Sequence, residues 1–179
     1  MSGIGGVTTR EIVDASEQRN VSAVSYHFGS REGLLLAILA RRGGPVDAER
    51  GARRDACGPS PSTRDLVRCL VEPYADLLGD PSGRSYLRIV AQLRGRFASW
   101  RVDSDAATTS SLSRILDEIE ARPERPPAVR RERVVAMIMM MTAITAERAR
   151  AIDDTVEPEL SHQEFIDNLV DMCASLIDG

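Results

Sequence analysis

Apolar residues recur every three or four positions along most of the chain, which is the spacing of one face of an α-helix. The regular alternation of apolar and polar residues that is typical of strands is nearly absent. The clearest helical face carries Tyr86, Val90, Leu93, Phe97 and Trp100. The pattern therefore predicts an all-α protein. Predicted helices lie near residues 8–16, 21–28, 30–42, 66–77, 86–100, 112–119 and 127–152, and from residue 161 onward.

Several helix starts are marked by local sequence signals. Thr8 with Glu11, and Ser161 with Glu164, have the spacing of a capping box, in which each side chain bonds a backbone N–H at the helix start. Pro126-Pro127 suits the first turn of the longest predicted helix, because no N–H bond is needed there.

Glycine and proline punctuate the chain after the third predicted helix. Gly43-Gly44-Pro45 is predicted to end that helix, because glycine favours helix ends and proline removes an N–H donor. Residues 43–62 are rich in Gly, Pro, Arg and Asp, and they are interpreted as a linker with a short helix near 46–56. The linker predicts two domains, a small head over residues 1–42 and a helical body over residues 43–179.

Residues 7–42 have the layout of two short helices across a tight turn, followed by a longer apolar helix. A helix fits the major groove of B-DNA, and its first turns can meet base edges. The small side chains of Ser22, Ala23 and Ser25 would let the helix at 21–28 approach the bases closely. The spacing alone fits equally well a helical hairpin that binds no nucleic acid.

Polar and basic residues around this segment suit contacts with DNA phosphates. Thr8 and Thr9 stand at a helix start, where hydroxyls and free backbone N–H groups can bind phosphate. Tyr26 and His27 add reach toward the DNA backbone, and arginines supply positive charge. The candidate DNA-binding residues are Thr8, Thr9, Arg10, Arg19, Asn20, Val21, Ser22, Ala23, Ser25, Tyr26, His27 and Arg31.

The order of residues in this segment resembles the N-terminal domain of the tetracycline-repressor (TetR) family of bacterial regulators. Residues 8–12 (TTREI) resemble the opening of the family's second helix, and residues 20–28 resemble its recognition helix. Residues 26–35 (YHFGSREGLL) resemble the signature that joins this helix to the fourth. The resemblance implies that neighbouring residues hold phosphates and that Val24 belongs to the core. The residues it implies to face the groove are Val21, Ser22, Ala23, Ser25 and Tyr26.

The segment also departs from the family pattern. Glu17 occupies a turn position where the family usually has glycine, the turn is one residue longer, and Ser25 stands where many members have tyrosine. The family's first helix has no counterpart, because residues 1–6 form a glycine-rich stub. Without this first helix, Ile12 and Phe28 would lose a packing partner. Full burial of one such apolar side chain stabilises a protein by about 1.5–3 kcal/mol. We therefore expect either a coding start further upstream or weak DNA binding.

The two C-terminal helices carry broad apolar faces. The helix at 127–152 is rich in methionine, whose flexible side chain adapts to irregular contacts and suits an interface. This helix and the last one could form a four-helix bundle with the same two helices of a second copy. The same faces could instead form a monomer core, whereas the family resemblance implies dimerisation through the last two helices. Candidate interface residues are Val134, Ile138, Met141, Phe165, Leu169, Cys173 and Leu176.

Five large side chains of the body, four of them aromatic, are the candidates for a ligand pocket, because they include most of the aromatic surface of the body. The same residues could instead form a plain hydrophobic core. Control by a small molecule requires a ligand that binds one arrangement of the protein better than another. The candidate pocket residues are Tyr74, Tyr86, Leu93, Phe97 and Trp100.

Charge is distributed unevenly along the 179 residues. All 23 basic residues are arginine, and the net charge is −4. Residues 1–54 carry eight arginines against six acidic residues, a net of +2, and the remainder carries a net of −6. A mildly basic head on an acidic body suits a protein that touches phosphate at one end.

Other functional classes find little support in the sequence. Cys57, Cys69 and Cys173 show no close pairing, which argues against a disulfide framework and a zinc ribbon. The only histidines are His27 and His162, and no phosphate-binding loop or nucleophile motif is present, so we expect no enzyme activity, cofactor or metal.

Targeting and membrane signals are also missing from the sequence. The N-terminus has no basic region followed by an apolar run. The longest uncharged apolar stretch, residues 134–146, is shorter than the roughly 20 residues that span a bilayer. We expect a cytoplasmic protein with no membrane partner.

The sequence therefore predicts a homodimeric, ligand-responsive TetR-type regulator, most simply a repressor, that binds a palindromic operator in double-stranded DNA. The alternative is an all-helical dimer that senses a small molecule without effective DNA binding. An α-helical enzyme is disfavoured because no nucleophile–base pair can be proposed.

Overall fold

The computed structural model describes the backbone of residues 31–93 and 106–179, and the side chains of residues 37–93 and 109–179. These residues form helices joined by short connections, which confirms the predicted all-α class. The two short helices predicted near 8–16 and 21–28 lie outside the described residues. The helices are α1 (Arg31–Ala56), α2 (Thr63–Ala75), a short 3₁₀ helix (Asp76–Gly79), α3 (Pro81–Leu93), α4 (Ala106–Glu120), α5 (Pro127–Asp153) and α6 (His162–Asp178).

The prediction that a helix ends at Gly43-Gly44-Pro45 was wrong. Helix α1 continues through these residues as one element, although proline in a helix interior costs about 3 kcal/mol and glycine about 1 kcal/mol. Tertiary packing explains this, because Val46 and Arg50 just beyond Pro45 are only 6% and 7% exposed. The predicted boundary after residue 42 falls inside this helix, and the division into two domains stays a prediction.

Gly43 has a packing role that a larger residue would disturb. The hydroxyl of Tyr86 lies against it, and a Cβ added at this position would come within 3.2 Å of that oxygen. Gly44 has nothing within 4 Å of an added Cβ. Gly43 therefore allows α3 to approach α1, whereas Gly44 makes no comparable contact.

Helix starts in the body follow the local signals. Ser161 caps α6, and its hydroxyl and the Glu164 carboxylate form the predicted capping box. Helix α5 begins at Pro127, as predicted from the proline pair. A further capping box joins Ser62 and Asp65 at the start of α2. These ends form from neighbouring residues and need no tertiary contact.

One apolar core joins the helices of the body. Helix α2 packs against α1, α4 and α6, while α5 packs against α3 and α6. Among the described residues, no helix is long and apolar enough to pass through a bilayer. The largest fully buried side chains belong to Leu66, Leu70, Leu87, Ile89, Ile115, Leu116, Ile119, Met137 and Ile166.

The side chains that we predicted at a dimer interface belong largely to this core. Six of the seven are at most 6% exposed within the single chain, and Leu176 is partly buried against the core. A second copy cannot reach those six in this arrangement, so a dimer through α5 and α6 would use other faces of these helices. The six are Val134, Ile138, Met141, Phe165, Leu169 and Cys173.

Candidate ligand cavity

A cavity of about 60 Å³ lies within the helical body and is lined by residues from α1 to α5. The described part of its wall is mostly apolar, and four side chains with polar atoms interrupt it: Arg50, Tyr74, Tyr86 and Thr142. An apolar cavity with a few convergent polar groups is the usual form of a small-molecule site. The apolar wall includes Leu39, Leu70, Val90, Leu93, Ile138 and Met141.

Arg50 is the charged residue among the described residues of the cavity wall. The helical spacing of Leu39, Val46 and Arg50 places all three on the buried side of α1. The Arg50 guanidinium donates to the Leu70 carbonyl oxygen through Nε (3.3 Å) and Nη2 (3.2 Å), which links α1 to α2. Burial lowers the pKa of Arg50, and nearby Asp47 acts in the opposite direction.

Asp47 lies one turn before Arg50 and is 4% exposed. Its carboxylate accepts hydrogen bonds from the backbone N–H groups of Ser111 (2.9 Å) and Leu112 (2.7 Å). The oxygens of Asp47 are therefore occupied by α4. No ion pair joins Asp47 to Arg50 among the residues that the structure describes.

Two tyrosines form one side of the cavity. The rings of Tyr74 and Tyr86 meet edge to face, with centroids 6.5 Å apart, and the Arg50 Cζ lies 5.8 Å from the Tyr74 centroid. Burial raises the pKa of both hydroxyls, so both stay neutral. The Tyr74 hydroxyl is buried and has no hydrogen-bond partner within the described part of the chain. It remains available as a donor or acceptor.

Thr142 is the remaining polar side chain of the wall. Its hydroxyl donates to the Ile138 carbonyl oxygen at 2.8 Å, one turn earlier in α5. Because the hydroxyl proton is used within the helix, only the lone pairs of Oγ1 remain for a guest molecule. Thr142 therefore suits a donor on the guest, whereas Arg50 suits an acceptor.

The structure brings together three of the five residues predicted for the pocket. Tyr74, Tyr86 and Leu93 line one cavity, and Phe97 and Trp100 lie outside the described residues. Whether the cavity binds a ligand stays a prediction. Sequence reasoning missed Arg50, because it assigned residues 43–62 to a linker.

The predicted DNA-binding residues lie almost entirely outside the described part of the chain, which includes only the last of them, Arg31. Arg31 is the first residue of α1, and its side chain is not among those described. Those contacts remain predictions. They are Thr8, Thr9, Arg10, Arg19, Asn20, Val21, Ser22, Ala23, Ser25, Tyr26, His27 and Arg31.

Two of the three cysteines lie close together in space although they are distant in the sequence. Cys57 and Cys69, which show no close pairing in the sequence, have sulfur atoms 3.7 Å apart because the end of α1 returns beside α2. Both are free thiols, as is Cys173. Burial raises the pKa of Cys69 and of Cys173 to about 12, so these two thiols are poor nucleophiles.

Comparison with known families identifies the body that contains this cavity. Residues 68–175 match the model of the tetracyclin repressor-like, C-terminal domain, which covers more than half of the chain. The protein belongs to the tetracycline-repressor family. No curated protein sequence matches the chain.

The TetR-like match places the cavity within the family domain. The matched residues extend from α2 to α6 and supply most of the cavity wall. Arg50 and Leu39 come from α1, before the matched region begins. Membership of the TetR family points to a transcription regulator and not to an enzyme.

Proposed function

We propose that this TetR-family protein is a homodimeric repressor that binds a palindromic operator through residues 8–31 and is released by a small molecule in the cavity. The observation that carries the proposal is the continuity of α1, which begins at Arg31 and also supplies Leu39 and Arg50 to the cavity wall. One helix therefore joins the segment that resembles a DNA reader to the candidate ligand site.

The length of α1 suits mechanical coupling between the two regions. From Arg31 to Arg50 the helix advances roughly 28 Å at 1.5 Å per residue. A ligand that displaces Arg50 or Leu39 would therefore move the start of the helix as well. Release from DNA follows if the ligand binds the displaced arrangement more tightly than the operator-binding one.

The cavity volume favours such a displacement. Ligand sites usually enclose about 300–1,000 Å³, whereas this cavity has about 60 Å³. We therefore expect a guest of ordinary metabolite size to displace the lining side chains and the helices that carry them. Since packed helices shift between discrete arrangements and do not deform continuously, this displacement provides the second state that regulation requires.

Operator binding is tested with the segment upstream of the protein's own gene that contains a palindrome. We expect binding to weaken as salt increases, because arginine contacts release phosphate counterions. Tyr26→Ala and Arg31→Ala should each lower the affinity about tenfold, as expected for loss of a direct DNA contact. Electrophoretic mobility shift or fluorescence anisotropy measures these affinities.

Arg131→Ala is the matched control for the operator experiment, because Arg131 is exposed on α5 in the acidic body. This variant should bind the operator like the parent protein. Salt-independent or sequence-independent retention by the parent would contradict the proposal and favour a sensor without effective DNA binding. Unchanged affinity in both the Tyr26 and Arg31 variants would remove these residues from the interface.

The dimer is proposed to form through the outer faces of α5 and α6. Met139 on α5 is 43% exposed, and Val135 and Ala143 are partly exposed on the same side of the helix, so the three form an apolar strip. On α6, Met172 and Leu176 are partly buried and share a face. Burial of these side chains against a second copy would form a four-helix bundle.

Met139→Glu should shift the protein from dimer to monomer, because a buried unpaired carboxylate is costly at an apolar interface. We expect the dimer dissociation constant to rise about thirtyfold or more. Sedimentation velocity or light scattering after gel filtration provides the measurement. Val156→Glu changes an apolar side chain that is 58% exposed between α5 and α6, and it should leave the dimer intact. Equal dimerisation of both variants would exclude this face.

A further inference from the structure

The cavity holds a positive charge that the described residues balance only weakly. Arg50 is 7% exposed, and its hydrogen bonds go to one neutral acceptor, the Leu70 carbonyl oxygen. Asp47, the acidic residue of α1 that acts electrostatically on Arg50, directs its oxygens to the backbone of α4. No carboxylate lies within 4.0 Å of the Arg50 nitrogens among the residues that the structure describes.

An arginine in this position keeps its charge. The guanidinium stays protonated in proteins even when burial lowers its pKa, so the cavity contains a cation at neutral pH. Nε and Nη2 share the Leu70 oxygen, and the Nη1 hydrogens have no acceptor in the described part of the chain. The planar fork of guanidinium N–H groups matches the two oxygens of a carboxylate.

A second unused polar group belongs to a residue that lines the same cavity as Arg50. The Tyr74 ring is next to Arg50, and its buried hydroxyl has no partner among the described residues. A buried hydroxyl without a partner is uncommon in folded proteins, and a ligand is one of the groups that can satisfy it. Its O–H can donate to the same acidic group that the guanidinium binds.

The rest of the cavity wall determines which non-acidic part of a ligand would fit. Leu70, Ile138 and Met141 present apolar atoms to the cavity, and none of the described residues that line it is acidic. We infer that the cavity binds an amphiphilic monocarboxylate, with its carboxylate on Arg50 and Tyr74 and its apolar part against α3 and α5. This inference names the ligand of the proposed regulator and therefore rests on the proposed function for its regulatory meaning.

Binding is measured on the full-length protein without DNA, by isothermal titration calorimetry and thermal shift. Phenylacetate and octanoate are the probes, and phenylacetamide and octanamide are their neutral controls. Each pair has the same apolar part, so the difference within a pair reports the negative charge. We expect the carboxylates to bind at least about tenfold more tightly than the amides, as charge-assisted hydrogen bonds require.

Two variants test whether Tyr74 and Arg50 contact the carboxylate of the ligand. Tyr74→Phe removes a hydroxyl that has no partner among the described residues, so the fold should be retained while carboxylate affinity falls about tenfold. Arg50→Met keeps an apolar stem of similar length and should lower carboxylate affinity about thirtyfold or more, with little effect on the amides. A purely structural role for Arg50 would lower thermal stability without changing the ratio of carboxylate to amide affinity.

The outcomes separate this inference from the proposed function. Equal binding of acids and amides, or no binding of either carboxylate at roughly millimolar concentration, would overturn the inference. If Arg50→Met does not fold, unchanged carboxylate affinity in Tyr74→Phe overturns the assigned binding mode. Operator binding by the ligand-free protein tests the regulator proposal alone. Carboxylate binding without operator binding would leave the ligand site standing and remove the regulator.

Discussion

Asp47→Ala is expected to lower the free energy of unfolding by about 2–4 kcal/mol, because it removes a buried carboxylate on which two backbone N–H groups of α4 depend. The carboxylate accepts from the backbone N–H groups of Ser111 and Leu112 at 2.9 and 2.7 Å, and it is 4% exposed. Its loss deprives two amides of an acceptor and removes a negative charge that favours the charged form of Arg50. Urea denaturation followed by circular dichroism measures the change.

Two other substitutions serve as controls for this experiment. Asp47→Asn keeps one acceptor oxygen, so it should lose less stability than the alanine variant. Glu49→Ala removes an exposed carboxylate that pairs with Arg53 on the surface of α1. Such surface pairs contribute about 0–1 kcal/mol. An Asp47→Ala protein as stable as Glu49→Ala would show that the buried carboxylate has no structural role.

Gly83→Ala is expected to destabilise the body by about 2–3 kcal/mol through overpacking. Gly83 lies in the first turn of α3, where its N–H donates to the Asp80 carboxylate at 2.8 Å. A methyl group here would overlap the Leu77 carbonyl oxygen and lie 3.1 Å from the Leu77 carbonyl carbon. Because these are backbone atoms of the 3₁₀ helix, no side-chain rotation can relieve the overlap.

Gly44→Ala is the matched control, since an added Cβ there has nothing within 4 Å. In that helical position alanine should stabilise the protein by about 0.5–1 kcal/mol relative to glycine. The two variants make the same chemical change and should move the thermal midpoint in opposite directions. Equal effects would show that the contact with Leu77 does not limit the residue at position 83.

The cavity residues show how far the sequence could lead toward the candidate site. Tyr74, Tyr86 and Leu93 could be proposed because large apolar side chains at helical spacing must face a core or a pocket. Arg50 could not be proposed in the same way, because an arginine after Gly-Gly-Pro is usually solvated. A possible signal was the helical spacing of Leu39, Val46 and Arg50, which continues one face across the proline.

The C-terminal helices illustrate a second limit. Helix α5 carries apolar residues on several sides, so its periodicity does not distinguish a side that packs within the chain from a side that meets a partner. The structure places Ile138 and Met141 at the cavity and leaves Met139 exposed. The choice depends on where α3 and α6 pack, which no local pattern encodes.

The sequence by itself determined the helical class, the starts of α5 and α6, and the resemblance to the TetR family. These properties depend on residues within one or two turns of each other, such as Ser161 with Glu164. Tertiary structure alone decided that α1 continues through Gly43-Gly44-Pro45, and that Arg50 is buried beside Tyr74. Both outcomes require packing among helices that are distant in the chain, and the free energy of that burial exceeds the local preference for a break.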